Sequence, residues 1–356
     1  MSRGRVTRRG FLRTSAAAAG AAAGLGLSGH AALGADPPAE VQKTRSYRPG
    51  MEYRRLGKTG LWVSAVCLGG HWKRIDKVLA TGERDALAAN RRQVIHHCLD
   101  VGINYVDACM DSEILAYAKA LGSRREEIYF GYSWHCWEPR AKEWRTADKL
   151  LQGFEEGLKR AGLEYADLWR ITMHERGSRH TDAEADEMAK ALDRARRQGK
   201  CRFTGFSSHD RPWIERLIRT YPGQVQAVCT PYTAASMELP ADSLFETVRK
   251  FDVGIFGIKP FASNSLFQGD GSPDGPYAEA DDERARLAVR YILSNPAITA
   301  PIPGLISVHQ VDNMVAAVKE RRELDRREKA RLERAAEEMM ANLPPEYQWL
   351  KDWQYV

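Results

Sequence analysis

The chain lacks the short patterns that announce metal or redox chemistry. Its six cysteines, at positions 67, 98, 109, 136, 201 and 229, include no CxxC pair, which removes the usual structural-zinc and dithiol readings. No HExxH is present either. Most of the cysteines fall within expected strands or helices, so buried thiols are expected, although an oxidising compartment would permit disulfides. Net charge is scarce too. Residues 1–35 hold five arginines and no acid, so the formal +6 of the whole chain falls to +1 from Asp36 onward. A near-neutral body gives no electrostatic footprint for nucleic acid. Runs such as Lys319-Glu320-Arg321-Arg322-Glu323 alternate in sign and read as solvated helix faces. No internal domain boundary is visible after Gly50.

What is present begins with an address. Thr7-Arg8-Arg9-Gly10-Phe11-Leu12-Arg13 is a twin-arginine pattern, and an uncharged run rich in Ala, Gly and Leu follows from Ser15 to Ala35. A charged start, an apolar middle and small residues near Ala32-Leu33-Gly34-Ala35 make residues 1–35 an export signal. A span of roughly 20 apolar residues can cross a bilayer, but a run made mostly of Ala and Gly is a weak anchor. The expectation is cleavage, with the twin-arginine export machinery as partner, a periplasmic location and no stable membrane anchor afterwards. Proteins on that route travel folded, so a cofactor can be loaded before export. Residues 36–50, with Pro37, Pro38 and Pro49, read as a linker, and 51–356 as one domain.

Within that domain, apolar runs alternate with amphipathic segments. Strands are expected at Val63–Leu68, Asn104–Asp107, Ile128–Tyr132, Leu168–Thr172, Arg202–Phe206, Gln226–Cys229, Gly254–Lys259 and Thr299–Ile302. Helices are expected between them, at Arg84–Val101 stopped by Gly102, Ala147–Ala161 stopped by Gly162, and Asp182–Gln198 stopped by Gly199. Asp210 can cap a further helix with Pro212 in its first turn. Asp242–Phe251 and Asp281–Ser294 follow. Eight strands, each followed by a helix, predict an α/β fold of the (β/α)8 TIM-barrel type, with an N-terminal β-hairpin cap and a C-terminal helical extension.

Several stretches, in order across roughly residues 51–318, resemble the aldo-keto reductases. Tyr53–Ser64, with the turn Gly57-Lys58-Thr59-Gly60, is similar to the hairpin that closes the bottom of that barrel. Leu68-Gly69-Gly70 resembles its first strand end, and Gly102–Asp107 its second. Gly199-Lys200, Arg202, Gly205 and Ser207 resemble its fifth. Pro301-Ile302-Pro303-Gly304 with Gln310-Val311-Asp312 resembles its eighth strand and the helix that holds adenine. The resemblance implies a carbonyl or alcohol substrate, possibly sugar-like, and a tightly held NAD(P).

The resemblance also assigns residues. Asp107 takes the place of the family's Asp, which supports a Tyr acid and a Lys. Ser112-Glu113 matches the family's Ser-Glu, but the loop before it is three residues short, and the missing piece is the one that holds the Tyr. Ser133 stands at the Lys position. His174 stands for the His that polarises the carbonyl, two residues late. On the cofactor side, Ser207 and Gln226 match positions that hold the nicotinamide. Lys259 and Ser263, in Lys259-Pro260-Phe261-Ala262-Ser263-Asn264-Ser265, match the loop under the pyrophosphate. Gly304 and Gln310 match the adenine end, where Asn313-Met314 stands in place of the family's Glu-Asn as a candidate cofactor contact and Ile306 replaces a basic residue.

The candidate strand ends add one pattern of their own. His71, Asp107, His135, His174 and His209 would all face one rim. Two uses of them follow. A histidine, or Tyr132, replaces the missing proton donor, since His titrates near neutrality. Alternatively the rim groups bind a divalent metal in a lyase or isomerase of polyols or sugars. A third reading is a non-catalytic binding protein on an eroded reductase scaffold. Trp72, Trp134 and Trp137 suit a sugar or apolar face, and Trp349, Trp353 and Tyr355 are placed to cover the rim or to pack the tail on the barrel.

Overall fold

The computed structural model describes residues 38–81, 85–174, 176–236 and 243–355, so the expected export signal lies outside the described residues. A two-stranded antiparallel hairpin comes first. Its strands are β1 (Tyr53–Arg55) and β2 (Trp62–Ser64), in the register Tyr53 opposite Ser64. The turn between them contains Gly57–Thr59, as its composition predicts. Eight parallel strands follow: β3 (Leu68–Gly69), β4 (Tyr105–Ala108), β5 (Tyr129–Tyr132), β6 (Ala166–Thr172), β7 (Cys201–Ser207), β8 (Ala227–Pro231), β9 (Gly254–Ile258) and β10 (Ala300–Ile302). Each pairs with the next in chain order. Cys67 N–H donates to Pro301 O at 3.1 Å and Gly69 N–H to Pro303 O at 2.7 Å, which joins the first of these strands to the last. The result is the (β/α)8 barrel that the spacing predicts.

The helices between the strands are α1 (Ala86–Val101), α2 (Asp111–Leu121), α3 (Ala147–Ala161), α4 (Asp182–Arg197), α5 (Arg211–Thr220), α6 (Ser243–Phe251), α7 (Ala278–Leu293) and α8 (Val308–Lys319). Their ends obey local chemistry. Thr181 and Glu184 form a reciprocal capping box on α4, and Asp210 accepts from Trp213 N–H to start α5. Gly102, at φ 93°, ends α1 in the left-handed region that a side chain would disfavour. No helix among the described residues is long and apolar enough to cross a membrane.

The expected first strand, Val63–Leu68, is in fact two elements. Ser64 N–H is taken by the Asn104 side chain at 2.8 Å, and Ser64 Oγ donates to Val66 O at 2.7 Å. The chain therefore turns after the hairpin and re-enters as β3. The residues read as a linker are held on the barrel from Ala39 onward. Arg45 reaches Asp167 at 3.0 Å and Ile128 O at 2.7 Å, and Thr44 Oγ1 donates to Trp62 O at 2.6 Å.

Strand alternation then sorts side chains. Tyr105, Tyr129, Leu168, Cys229 and Phe256 fill the barrel interior, with Leu56 closing it below. The opposite set, such as Val106, Phe130, Tyr132 and Trp169, packs outward against the helices. After α9 (Arg326–Ala341), the segment Pro345–Tyr355 crosses the mouth at the C-terminal ends of the strands.

Candidate active site

A cavity of about 380 Å³ opens at the C-terminal ends of the barrel strands, the face where barrels of this kind carry chemistry. Of the groups expected at the proton-transfer end, His71, Asp107 and His135 line it. His209 lines it as well, stacked on Trp349 with ring centres 4.7 Å apart. Burial holds His209 well below the ordinary histidine range, which keeps it neutral.

Asp107 is paired with a residue the sequence reading did not single out. Arg170 Nε donates to Asp107 Oδ1 at 2.7 Å, Nη2 donates to Oδ2, and Nη1 donates to Thr172 Oγ1 at 3.0 Å. Arg170 is 3% exposed and Asp107 5%. Burial, the largest single influence, would lower the guanidinium's pKa, but the Asp107 carboxylate and the neighbouring groups together leave it raised. The signal was available: Arg170 is a lone charge inside Leu168-Trp169-Arg170-Ile171-Thr172, two residues from inward-facing Leu168. The cation beside Asp107 thus comes from β6 rather than from the end of β5. Ser133, at that β5 position, donates to Glu138 and shares a hydrogen bond with Thr172 Oγ1 at 2.6 Å.

Glu138, also unexpected, is 2% exposed and accepts from Thr172 N–H at 2.7 Å, Trp169 Nε1–H at 3.2 Å and Trp134 N–H at 3.3 Å. Burial pushes its carboxyl up. It braces the loop after β5 against β6.

Near the short loop after Asp107 lies a second cluster. Glu113, in the first turn of α2, accepts from Cys109 N–H at 2.9 Å, from His71 N–H, and meets His71 Nδ1 at 2.7 Å. Cys109 Sγ stands 3.8 Å from the same nitrogen. Its hydrogen bond to Cys109, then that to Glu113, pushes the His71 imidazole up to about 10. His135 Nδ1 lies 2.8 Å from Cys109 O.

Two groups expected at the rim sit elsewhere. Tyr132 has the outward parity of β5. Its ring packs on Phe154 at 5.1 Å, its hydroxyl has no hydrogen-bond partner among the described residues, and burial raises its pKa. His174 lies beyond the end of β6, where the chain has left the strand. It stacks on His180 at 4.8 Å and meets Arg145 Nη2 at 3.1 Å, off the cavity. The tryptophans divide likewise. Trp134 and Trp137 stack on each other at 4.6 Å and Trp72 donates to Tyr117, none of them lining the cavity, whereas Trp349 does. The thiols also divide: Cys67, Cys98, Cys201 and Cys229 are buried as expected, Cys109 faces the cavity, and Cys136 is exposed.

The cofactor side is similarly split. Ser207, Lys259, Ser263 and Gly304 border the cavity. Lys259, Ala262, Ser263 and Asn264 all have positive φ, between 47° and 67°, and the loop closes on itself through Ala262 N–H to Lys259 O at 2.9 Å. Gly304 lies so close to Gly70 that an added Cβ would sit 2.4 Å from its carbonyl oxygen. Gln226 precedes β8, at the opposite end of the barrel, where its Oε1 accepts from Thr204 N–H at 3.2 Å. Gln310 accepts from Ile306 N–H at 3.0 Å, which shapes the turn into α8. Asn313 accepts from Arg286 at 2.7 Å and donates to Asp282 O at 3.1 Å, tying α8 to α7. Tyr347 from the tail lies under Lys73, 4.5 Å from its ring centre, and Lys259 at 5.6 Å. Burial would raise the Tyr347 hydroxyl, but Lys259, Ser263 and Lys73 together lower it.

Comparison with known proteins fits this geometry. The sequence profile of the aldo/keto reductase family matches residues 79–337. The chain is 25% identical over 292 residues to L-galactose dehydrogenase of Arabidopsis thaliana, covering 76% of this chain and 89% of that protein. It is 25% identical over 298 residues to 6-dehydroglucose reductase of Novosphingobium aromaticivorans, covering 76% and 91%. Among solved structures it superposes on the holo form of an aldo-keto reductase from Bacillus halodurans with a TM-score of 0.57 at 21% identity, over 80% of this chain and 96% of that one. A Bombyx mori aldo-keto reductase in complex with NADP gives 0.58 at 17% identity, over 80% and 92%. The eight-stranded barrel, the Asp at the end of its second strand and the profile match together place the chain in the aldo/keto reductase family, among the NAD(P)-dependent oxidoreductases.

Proposed function

We propose that this chain is an exported reductase or dehydrogenase that retains NAD(P) and acts on a carbonyl or alcohol of a sugar-like substrate through a rebuilt catalytic site. One observation carries the reading: a single cavity holds both the Asp107–Arg170 pair and the tight loop with Lys259 and Ser263. The loop suits a pyrophosphate, with Lys259 and Lys73 supplying positive charge beside it and Ser263 a hydroxyl. A bound nicotinamide supplies or accepts the hydride. Arg170 holds the Asp107 carboxylate in place through two hydrogen bonds, and His71 and His135 border the same space as proton carriers. The sugar-like substrate is supported by the names of the two relatives, which act on galactose and on a dehydroglucose. The twin-arginine pattern supports loading before export. Free nicotinamide is scarce outside the cytoplasm, so a retained cofactor needs reoxidation by a second substrate or within one epimerisation.

The test is binding. Folded, signal-processed protein should enhance NADH or NADPH fluorescence on titration. Lys259→Ala should weaken that binding at least about tenfold, the loss expected for a charge-assisted contact. If neither nucleotide binds, and mass spectrometry finds none co-purifying, the reading is overturned.

A further inference from the structure

We infer that His71, Cys109 and Glu113 form a site for a thiophilic divalent cation of the zinc class, opening onto the cavity. The donor atoms Nδ1, Sγ and a carboxylate oxygen all lie within 4.8 Å of one another. His71 Nδ1 is 2.7 Å from Glu113 Oε1 and 3.8 Å from Cys109 Sγ. Tetrahedral donors around zinc stand roughly 3.3–3.8 Å apart, given bond lengths of ~2.0–2.3 Å. Side-chain shifts of about 1 Å therefore bring the three into a coordination shell.

The surroundings hold the donors in place. Cys109 N–H fixes Glu113 Oε2 at 2.9 Å, and Glu113 is 2% exposed. His71 has φ 56°, a left-handed backbone uncommon for a residue with a side chain. All three residues line the cavity, so a fourth coordination position faces it, the arrangement of a catalytic rather than a structural zinc. A thiolate with an imidazole selects zinc-class ions over magnesium or calcium.

The location gives the ion a role. Cys109 is two residues past Asp107, on the shortened loop from which the family's tyrosine is missing. That role rests on the reductase reading; the site does not. In reduction, a bound nicotinamide would supply hydride to the carbonyl carbon as the C=O π pair moves onto oxygen. The cation, with His71 then a ligand rather than a proton carrier, would stabilise that oxygen, and His135, whose Nδ1 lies 2.8 Å from Cys109 O, would deliver the proton.

Cobalt(II) titration of the chelator-treated, signal-processed protein tests the site without any turnover. The expected result is a thiolate-to-cobalt charge-transfer band that saturates at one equivalent. Cys109→Ser should abolish the band with an unchanged melting temperature. His71→Gln should weaken cobalt binding at least tenfold. Cys136→Ser, at the exposed neighbouring thiol, should leave the band intact. No band, or a band that survives Cys109→Ser, overturns the inference. NADPH fluorescence on the same metal-free protein is read separately, so a failure of the reductase reading is not mistaken for a failure of the site.

Discussion

Two buried aspartates, Asp107 and Asp167, occupy opposite ends of the barrel and are neutralised in opposite styles. Asp167, at the start of β6, is met by three arginines: Arg45 at 3.0 Å, Arg125 at 2.9 Å and Arg202 at 2.8 Å, with Phe130 N–H at 2.9 Å besides. Its partners reach solvent, and they clamp the N-terminal segment, β5 and β7 to β6. Asp107, at the other end, has a single arginine that is itself buried, and both line the cavity. The bottom arrangement spreads one charge over many attachments and fixes shape. The top arrangement concentrates it on one pair and leaves the pair beside space for a ligand. Same residue type, same fold, and the number and exposure of the partners separate stability from chemistry.

The sharpest way to break that contrast is Arg170→Met. It leaves Asp107 buried without its cation, and loss of one partner from such a pair costs about 3–5 kcal/mol. Denaturant unfolding should show that loss together with a collapse of turnover. Asp167→Asn comes next. Three arginines then crowd an uncharged group, but they are partly solvated, so roughly 2–4 kcal/mol is expected. Here the unfolding midpoint should fall while turnover per folded molecule holds. If Asp167→Asn abolished turnover at unchanged stability, the division between the two ends would be wrong.

The smallest effect concerns pH. His180 is 4% exposed, beside His174, Arg145 and Glu184. Burial first, then His174 and Arg145, hold it down to about 4. Its folded pKa lies below the unfolded value of ~6.5, so protonation favours unfolding. Its contribution is full above pH ~6.5 and lost as pH falls toward 4. His180→Gln should flatten the fall in melting temperature across that window, measured against the parent chain.

The fold was largely legible because barrel strands and helices advertise themselves through period and punctuation. Gly102, Gly162 and Asp210 mark helix ends where the structure has them. The exception, Val63–Leu68, failed because its division depends on Asn104, forty residues away, capturing Ser64 N–H. The site was half legible. Asp107, His71 and His135, expected from the strand ends, line the cavity. Tyr132 was misplaced by one step of strand parity, and His174 by a strand that ends at Thr172. Gln226 and Gln310 match family positions in sequence and Asn313 stands in place of the family's Glu, yet their side chains are engaged by Thr204, Ile306 and Asp282. Arg170 was passed over although its lone charge in an apolar strand is visible in the sequence, whereas the contacts of Glu138 with Thr172 and Trp169, and of Glu113 with His71, join distant residues that no local pattern encodes.

The seam between β3 and β10 has a consequence for how the chain acquires this shape. Two backbone hydrogen bonds close the ring, from Cys67 and Gly69 to Pro301 and Pro303. Arg54 of the hairpin likewise reaches Leu293 O and Ile298 O. These contacts join the two extremes of the barrel in sequence, and pairings of such high contact order form slowly. During synthesis the hairpin and β3 emerge first and must wait, unpaired on that side, for the last strand to arrive. His71 and Gly70 follow β3 directly and Gly304 follows β10, so this flank of the cavity is assembled only at ring closure.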